Sequence, residues 1–147
     1  MSLRHRRKRA RRRGERGQSL VEFSLVSLFF FILVFGIIDF GFGLHSWITV
    51  TNAAREGARY GAVQAPSSGS SDCNPLPAEG TIERKLCDVA ANLDPDKISI
   101  TVTNAQGDAG DPIIVEVGYE YDLITPLTGF LHTPSLTLAS STEMRLE

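Results

Sequence analysis

The sequence predicts an α+β chain: a long N-terminal transmembrane helix that continues outside the membrane, followed by a small external domain with a short helix and an antiparallel sheet. Three observations lead there. Phe23 to Leu44 is almost wholly apolar, no proline occurs before Pro66, and beyond Pro95 the apolar residues switch to alternate spacing. At about 1.5 Å of rise per residue the apolar stretch reaches roughly 33 Å, enough for a hydrocarbon core of about 30 Å. The predicted organisation is a basic leader over 1–17, a long helix over 18–62 with its span at about 23–44, and an external α+β domain over 63–147.

The net charge of −2 conceals a sharp asymmetry. Nine of the 15 Lys and Arg residues stand in the first seventeen positions against the single Glu15, a balance of +8; the remainder carries −10. A basic block directly before an apolar span sets orientation, with Lys and Arg retained inside. The N-terminus is therefore expected in the cytoplasm and everything after Leu44 outside. A cleavable secretory signal has an apolar core of about 7 to 15 residues ending at a small-residue site. This run is longer and continues into Leu44-His45-Ser46-Trp47 without such a site. A nucleic-acid arm is the competing reading of the leader, and its position argues for topology.

Two carboxylates punctuate the helix, Glu22 at the entrance of the apolar stretch and Asp39 near its exit. An acid at the span centre costs about 2.5 to 3.5 kcal/mol, so both require a partner or an interfacial place. For Asp39 two readings stand, a bond across to another subunit's span or a position at the outer interface that reaches water. Counting in sevens from Glu22 gives Phe29, Gly36, Gly43, Val50 and Gly57; counting from Asp39 gives Ser46 and Ala53. This seam of mostly small side chains, with the Ala53/Gly57/Gly61 and Ala54/Ala58/Ala62 rows, permits close backbone approach by a neighbouring helix or by the protein's own sheet. Gly36, Asp39, Gly43, Ala53, Gly57 and Gly61 are the expected packing positions.

The Ser-, Gly- and Pro-rich stretch Pro66 to Pro77 reads as a loop. A short amphipathic helix follows over about Thr81 to Asn92, with Ile82, Leu86, Val89, Ala90 and Leu93 at helical spacing. Ile98, Ile100 and Val102 alternate, as do Ile113, Val115, Val117, Tyr119 and Tyr121; the turn-rich NAQGDAGDP between them predicts a hairpin. A further strand is expected in Ser135 to Leu146, with Leu136, Leu138 and Met144 as candidates for the core. Its register across Ala139-Ser140-Ser141 is open.

Cys73 and Cys87 lie on the expected external side, where thiols oxidise; a disulfide is expected, free thiols being the other reading. Two cysteines without a nearby histidine fall short of a four-ligand metal site. His5, His45 and His132 are scattered, no nucleophile motif or phosphate-cradling loop is present, and Arg55, Glu56 and Arg59 read as a solvated helix face. No enzymatic activity, catalytic residue, cofactor or metal is expected.

The junction Arg16-Gly17-Gln18-Ser19-Leu20-Val21-Glu22-Phe23 resembles the processing site of type IV pilin-like proteins: a glycine, then a mature start with glutamate fifth and an aromatic residue sixth. With GIIDFG at Gly36 to Gly41 and NAAREGARY at Asn52 to Tyr60, the chain resembles the TadE-like pseudopilins of tight-adherence (Tad, Flp-type) pilus systems over roughly Gly17 to Val63. The resemblance implies a minor subunit or assembly factor in the cytoplasmic membrane of a bacterium, single-pass, with its C-terminal domain extracytoplasmic. It implies cleavage between Gly17 and Gln18 by a prepilin peptidase, and pairing of Glu22 with the new amine on Gln18 of its own chain or a neighbour. The implied partners are the membrane, other pilin-like subunits and pilus assembly proteins, with no nucleic acid. The alternative is a signal-anchored extracytoplasmic binding module, in which Gly17 and Glu22 have no special role.

Overall fold

The computed structural model describes residues 11–63, 65–126 and 135–147. Its elements are α1 (Arg11–Gly61), β1 (Ser70–Asp72), α2 (Ile82–Val89), a 3-10 turn (Pro95–Lys97), β2 (Ile98–Thr103), β3 (Pro112–Asp122) and β4 (Ser135–Arg145). The chain forms two compact units, one ending at Ile38 and one spanning Asp39–Glu147.

The first unit is helical throughout its described part, and its apolar side chains, from Leu20 through Ile38, are largely exposed. With no proline to remove a backbone donor, α1 continues to Gly61. The helix over Gly17–Gly61 is long and apolar enough to cross a membrane.

The second unit is a four-stranded antiparallel sheet in the order β1-β2-β3-β4, with its apolar face against the outer part of α1 and against α2. Strand alternation places Ile98, Ile100 and Val102 of β2 and Ile113, Val115, Val117, Tyr119 and Tyr121 of β3 on that face. The register pairs Ile100 with Val117 and Val102 with Val115, so every apolar residue of β2 meets an apolar partner on β3. From the helices come Val50, Ala53, Ala54, Ala58, Ile82 and Leu86, all buried. Fully burying a side chain such as Ile82 or Leu86 contributes about 1.5 to 3 kcal/mol. The small residues of α1 bring its backbone close: a Cβ on Gly57 would fall 2.6 Å from Leu86 Cδ2, and one on Gly61 would fall 2.4 Å from Ile113 Cδ1.

α2 starts where Thr81 Oγ1 accepts from the Arg84 N–H at 3.2 Å, a side-chain N-cap. The β2–β3 connection turns through Asn104 and Gly110, both at positive φ, and Asn104 Nδ2 donates to the Pro112 carbonyl at 2.9 Å. Cys73 and Cys87 form a disulfide with Cα atoms 5.6 Å apart. It ties the loop after β1 to α2, and closing a loop of this size stabilises by about 3 kcal/mol in the chain-entropy model.

Two expectations are corrected. The stretch Pro66 to Pro77 is not only loop, because Ser70–Asp72 pair with Thr101, Ile100 and Ser99 as β1. In β4, Leu136 and Met144 are 48% and 37% exposed, and Leu138 alone of the three expected residues packs on the core. Their register is as the alternation requires, Leu136 opposite Tyr121, Leu138 opposite Tyr119 and Met144 opposite Ile113. β4 is, however, the last strand of the sheet, beyond the strip of β3 that α1 covers at Gly43–Tyr121 and Gly61–Ile113. The open register resolves as Ala139 opposite Gly118 and Ser141 opposite Glu116.

Candidate functional site

The candidate site residues fall into two groups along α1. Gly17, Gln18, Glu22 and Phe23 lie on the helix in the first unit and are exposed. Four-residue spacing puts Gln18 and Glu22 one turn apart on the same face, within reach of each other's side-chain ends. Gly17 is the weakest helix former of the segment, about 1 kcal/mol worse than alanine, and it stands where the basic stretch gives way to the apolar one.

The packing row divides at Asp39. Gly36, like Gly41, has nothing within 4 Å of the position a Cβ would take. Asp39, Ser46, Val50, Ala53 and Gly57, at spacings close to seven and three or four, are instead buried within the second unit, and a Cβ on Gly43 would fall 3.6 Å from the Tyr121 ring. The outer part of the seam thus packs on the protein's own sheet and α2.

Asp39 is 5% exposed. Its Oδ1 accepts from the Ile124 N–H at 3.0 Å and its Oδ2 accepts from the Thr125 hydroxyl, while its backbone carbonyl accepts from the Tyr121 phenol at 3.4 Å. Both carboxylate oxygens are engaged within the chain. Burial, and then the charge of Asp39, push the Tyr121 phenol above its ordinary value of 10.0. The result is a clamp between the exit of the apolar helix and the segment leaving β3.

One buried acid was not expected from sequence. Glu83 is fully buried, and its Oε1 accepts from the Ser67 hydroxyl, the Ser68 N–H at 2.8 Å and the Gly69 N–H at 3.2 Å. Oε2 finds no hydrogen-bond partner among the described residues. Desolvation raises the pKa of this carboxyl, but the Ser67 hydroxyl and the backbone donors outweigh it, so the carboxyl lies below its ordinary 4.5. A pKa depressed in the folded state gives stability that is complete above 4.5 and lost as pH falls through the folded value. Denaturant midpoints measured at neutral and acidic pH are expected to fall on acidification for the native chain and to fall less for Glu83→Gln, which starts lower at neutral pH by about 1 to 3 kcal/mol.

Among the described residues no group of three or more His, Cys, Asp or Glu is gathered to hold a metal ion. His45 meets Asn92 at 3.2 Å, and Lys97 pairs with Asp122 and Asp94.

These features define a class: among the described residues, one apolar helix suited to anchoring, whose outer turns build the core of a small α+β domain. Residues 17–59 match the family model described as TadE-like protein, so over this segment the chain carries the TadE-like pattern. No curated protein and no solved structure matches the chain.

Proposed function

We propose that the protein is a pseudopilin-like minor subunit or assembly factor of a tight-adherence pilus, acting by membrane anchoring and subunit packing. The observation that carries this reading is where the family match begins: at Gly17, the glycine preceding Gln18, with Glu22 and Phe23 at the fifth and sixth positions beyond it. Cleavage after Gly17 by a prepilin peptidase at the cytoplasmic face removes the basic leader and leaves Gln18 as the amino terminus of the helix. Glu22 then lies one turn from a new ammonium group, of its own chain or a neighbour, and near the positive end of the helix dipole. That arrangement supplies the partner that a carboxylate at the edge of hydrocarbon requires. Gly36, half-buried on the same seam and with open space where a Cβ would stand, is the place where a neighbouring span approaches closely.

Gly17→Val and Glu22→Ala separate the steps. In cells carrying the native neighbouring genes, Gly17→Val is expected to leave the uncleaved precursor in the membrane and abolish piliation. Glu22→Ala is expected to be processed but to co-purify with other pilin-like subunits at least tenfold less, the loss that about 1.4 kcal/mol implies. Normal piliation by both variants would favour a plain signal anchor for an external binding module.

A further inference from the structure

The segment leaving β3, Leu123-Ile124-Thr125-Pro126, sits at the depth of a residue inside the apolar helix. The Ile124 N–H is 3.0 Å from Asp39 Oδ1, and Thr125 is bonded to the same carboxylate. A hydrocarbon core of about 30 Å takes about 20 helical residues. Started at Ser19 it ends at Ile38; started at Phe23 it ends at Phe42. Asp39 is within one turn of the outer boundary in either placement, and the interfacial layer beyond that boundary is only about 5 to 7 Å thick.

The surface at this level is apolar. Ile124 is 66% exposed, Pro126 is exposed, and Leu123 is half-buried. Around the remaining circumference of α1, Phe40, Phe42, Leu44, Trp47 and Ile48 are exposed. Among these, His45 is the first exposed polar side chain and is held by Asn92; Thr49, Thr51 and Asn52 follow, and the first Lys, Arg, Asp or Glu after Asp39 on this helix is Arg55. On the other strand end, charge resumes at Asp122, held by Lys97.

We propose that Leu123–Pro126 is a membrane-docking edge: it enters the outer interfacial layer of the bilayer beside the helix, with Ile124 as the inserting side chain. The occupant of this surface is lipid. The arrangement accounts for a carboxylate at a costly position. Irregular backbone cannot enter apolar surroundings with its donors open, and Asp39 satisfies both the Ile124 N–H and the Thr125 hydroxyl. The domain is thereby held against the membrane by two elements, the helix and the edge of the sheet.

This inference rests on the anchoring proposed above, and its test separates the two. In a Trp47→Phe background, single tryptophans are introduced as Ile124→Trp, Phe30→Trp and Gln106→Trp, and each full-length chain is reconstituted into phosphatidylcholine vesicles with and without bromine on the upper acyl carbons. Gln106 is exposed in the β2–β3 connection at the opposite end of the sheet. Expected is a drop of about twofold or more on bromination for Ile124→Trp, as for a side chain inserted at the acyl boundary, and no change for Gln106→Trp. Quenching of Phe30→Trp without quenching of Ile124→Trp overturns the docking edge and leaves the anchor standing. No quenching of either overturns both.

Discussion

Gly57→Leu is expected to prevent the external domain from folding. A Cβ alone at this position lies 2.6, 2.8 and 3.1 Å from three atoms of Leu86, which is 1% exposed and cannot swing away. Leu86 belongs to α2, which the Cys73–Cys87 disulfide fixes to the β1 side of the sheet, so the helix cannot retreat without opening the core. Overpacking by even a methylene or two typically costs about 1 to 3 kcal/mol; a whole isobutyl group here exceeds that range, a large fraction of a small domain's stability of about 5 to 15 kcal/mol. Gly36→Leu is the informative control, because its Cβ meets nothing within 4 Å. Denaturant unfolding of the full chain in detergent micelles is expected to show no cooperative transition for Gly57→Leu and an unchanged midpoint for Gly36→Leu. Equal midpoints for Gly57→Leu and the native chain would contradict the packing described.

Asp39→Ala is expected to cost about 3 kcal/mol and to free the start of the β3–β4 connection. It removes the acceptor of the Ile124 N–H and of the Thr125 hydroxyl; hydrogen bonds to charged groups contribute about 1.5 to 3 kcal/mol, and a buried donor left open costs about 1 to 3. Asp39→Asn keeps one oxygen for the Ile124 N–H and is expected to lose about half as much. Hydrogen exchange at the Ile124 amide reads the clamp directly: fast exchange in Asp39→Ala, intermediate in Asp39→Asn and slow in the native chain. Exchange at one rate in all three would mean that the carboxylate does not hold this segment.

These two positions show what the sequence makes legible. The long helix follows from an apolar run, the absence of proline and small residues at sevenfold spacing, and the β2–β3 hairpin follows from strict alternation on both sides of a turn-rich segment. The seam itself was readable, but not its division: Gly36 and Gly57 stand in one sevenfold row, and only the tertiary fold places Leu86 over one and open space beside the other. Likewise a carboxylate at Asp39 announces the need for a partner without saying which. Its partners within the chain are Ile124 and Thr125, 85 and 86 residues away, separations no local pattern encodes.

Where sequence reading fell short, local propensity was overridden by pairing. β1 is Ser70-Ser71-Asp72, three polar residues with no apolar alternation, and it is a strand because β2 offers it an edge. Glu83 stands in the first turn of α2, where an acid ordinarily faces water and complements the helix dipole. It is buried because the Ser67–Gly69 segment folds over it with three donors. In β4, an apolar residue at the correct alternation is still exposed when the strand is the last in the sheet, as at Leu136.

The most direct test of the account is the amino-terminal sequence of the protein isolated from membranes of cells that carry its native neighbours and an active prepilin peptidase. A start at Gln18 is the predicted result, with Glu22 as the fifth residue of the mature chain. A chain that retains the basic leader through Gly17 in such cells would contradict pilin-like maturation and leave the helix as a simple anchor.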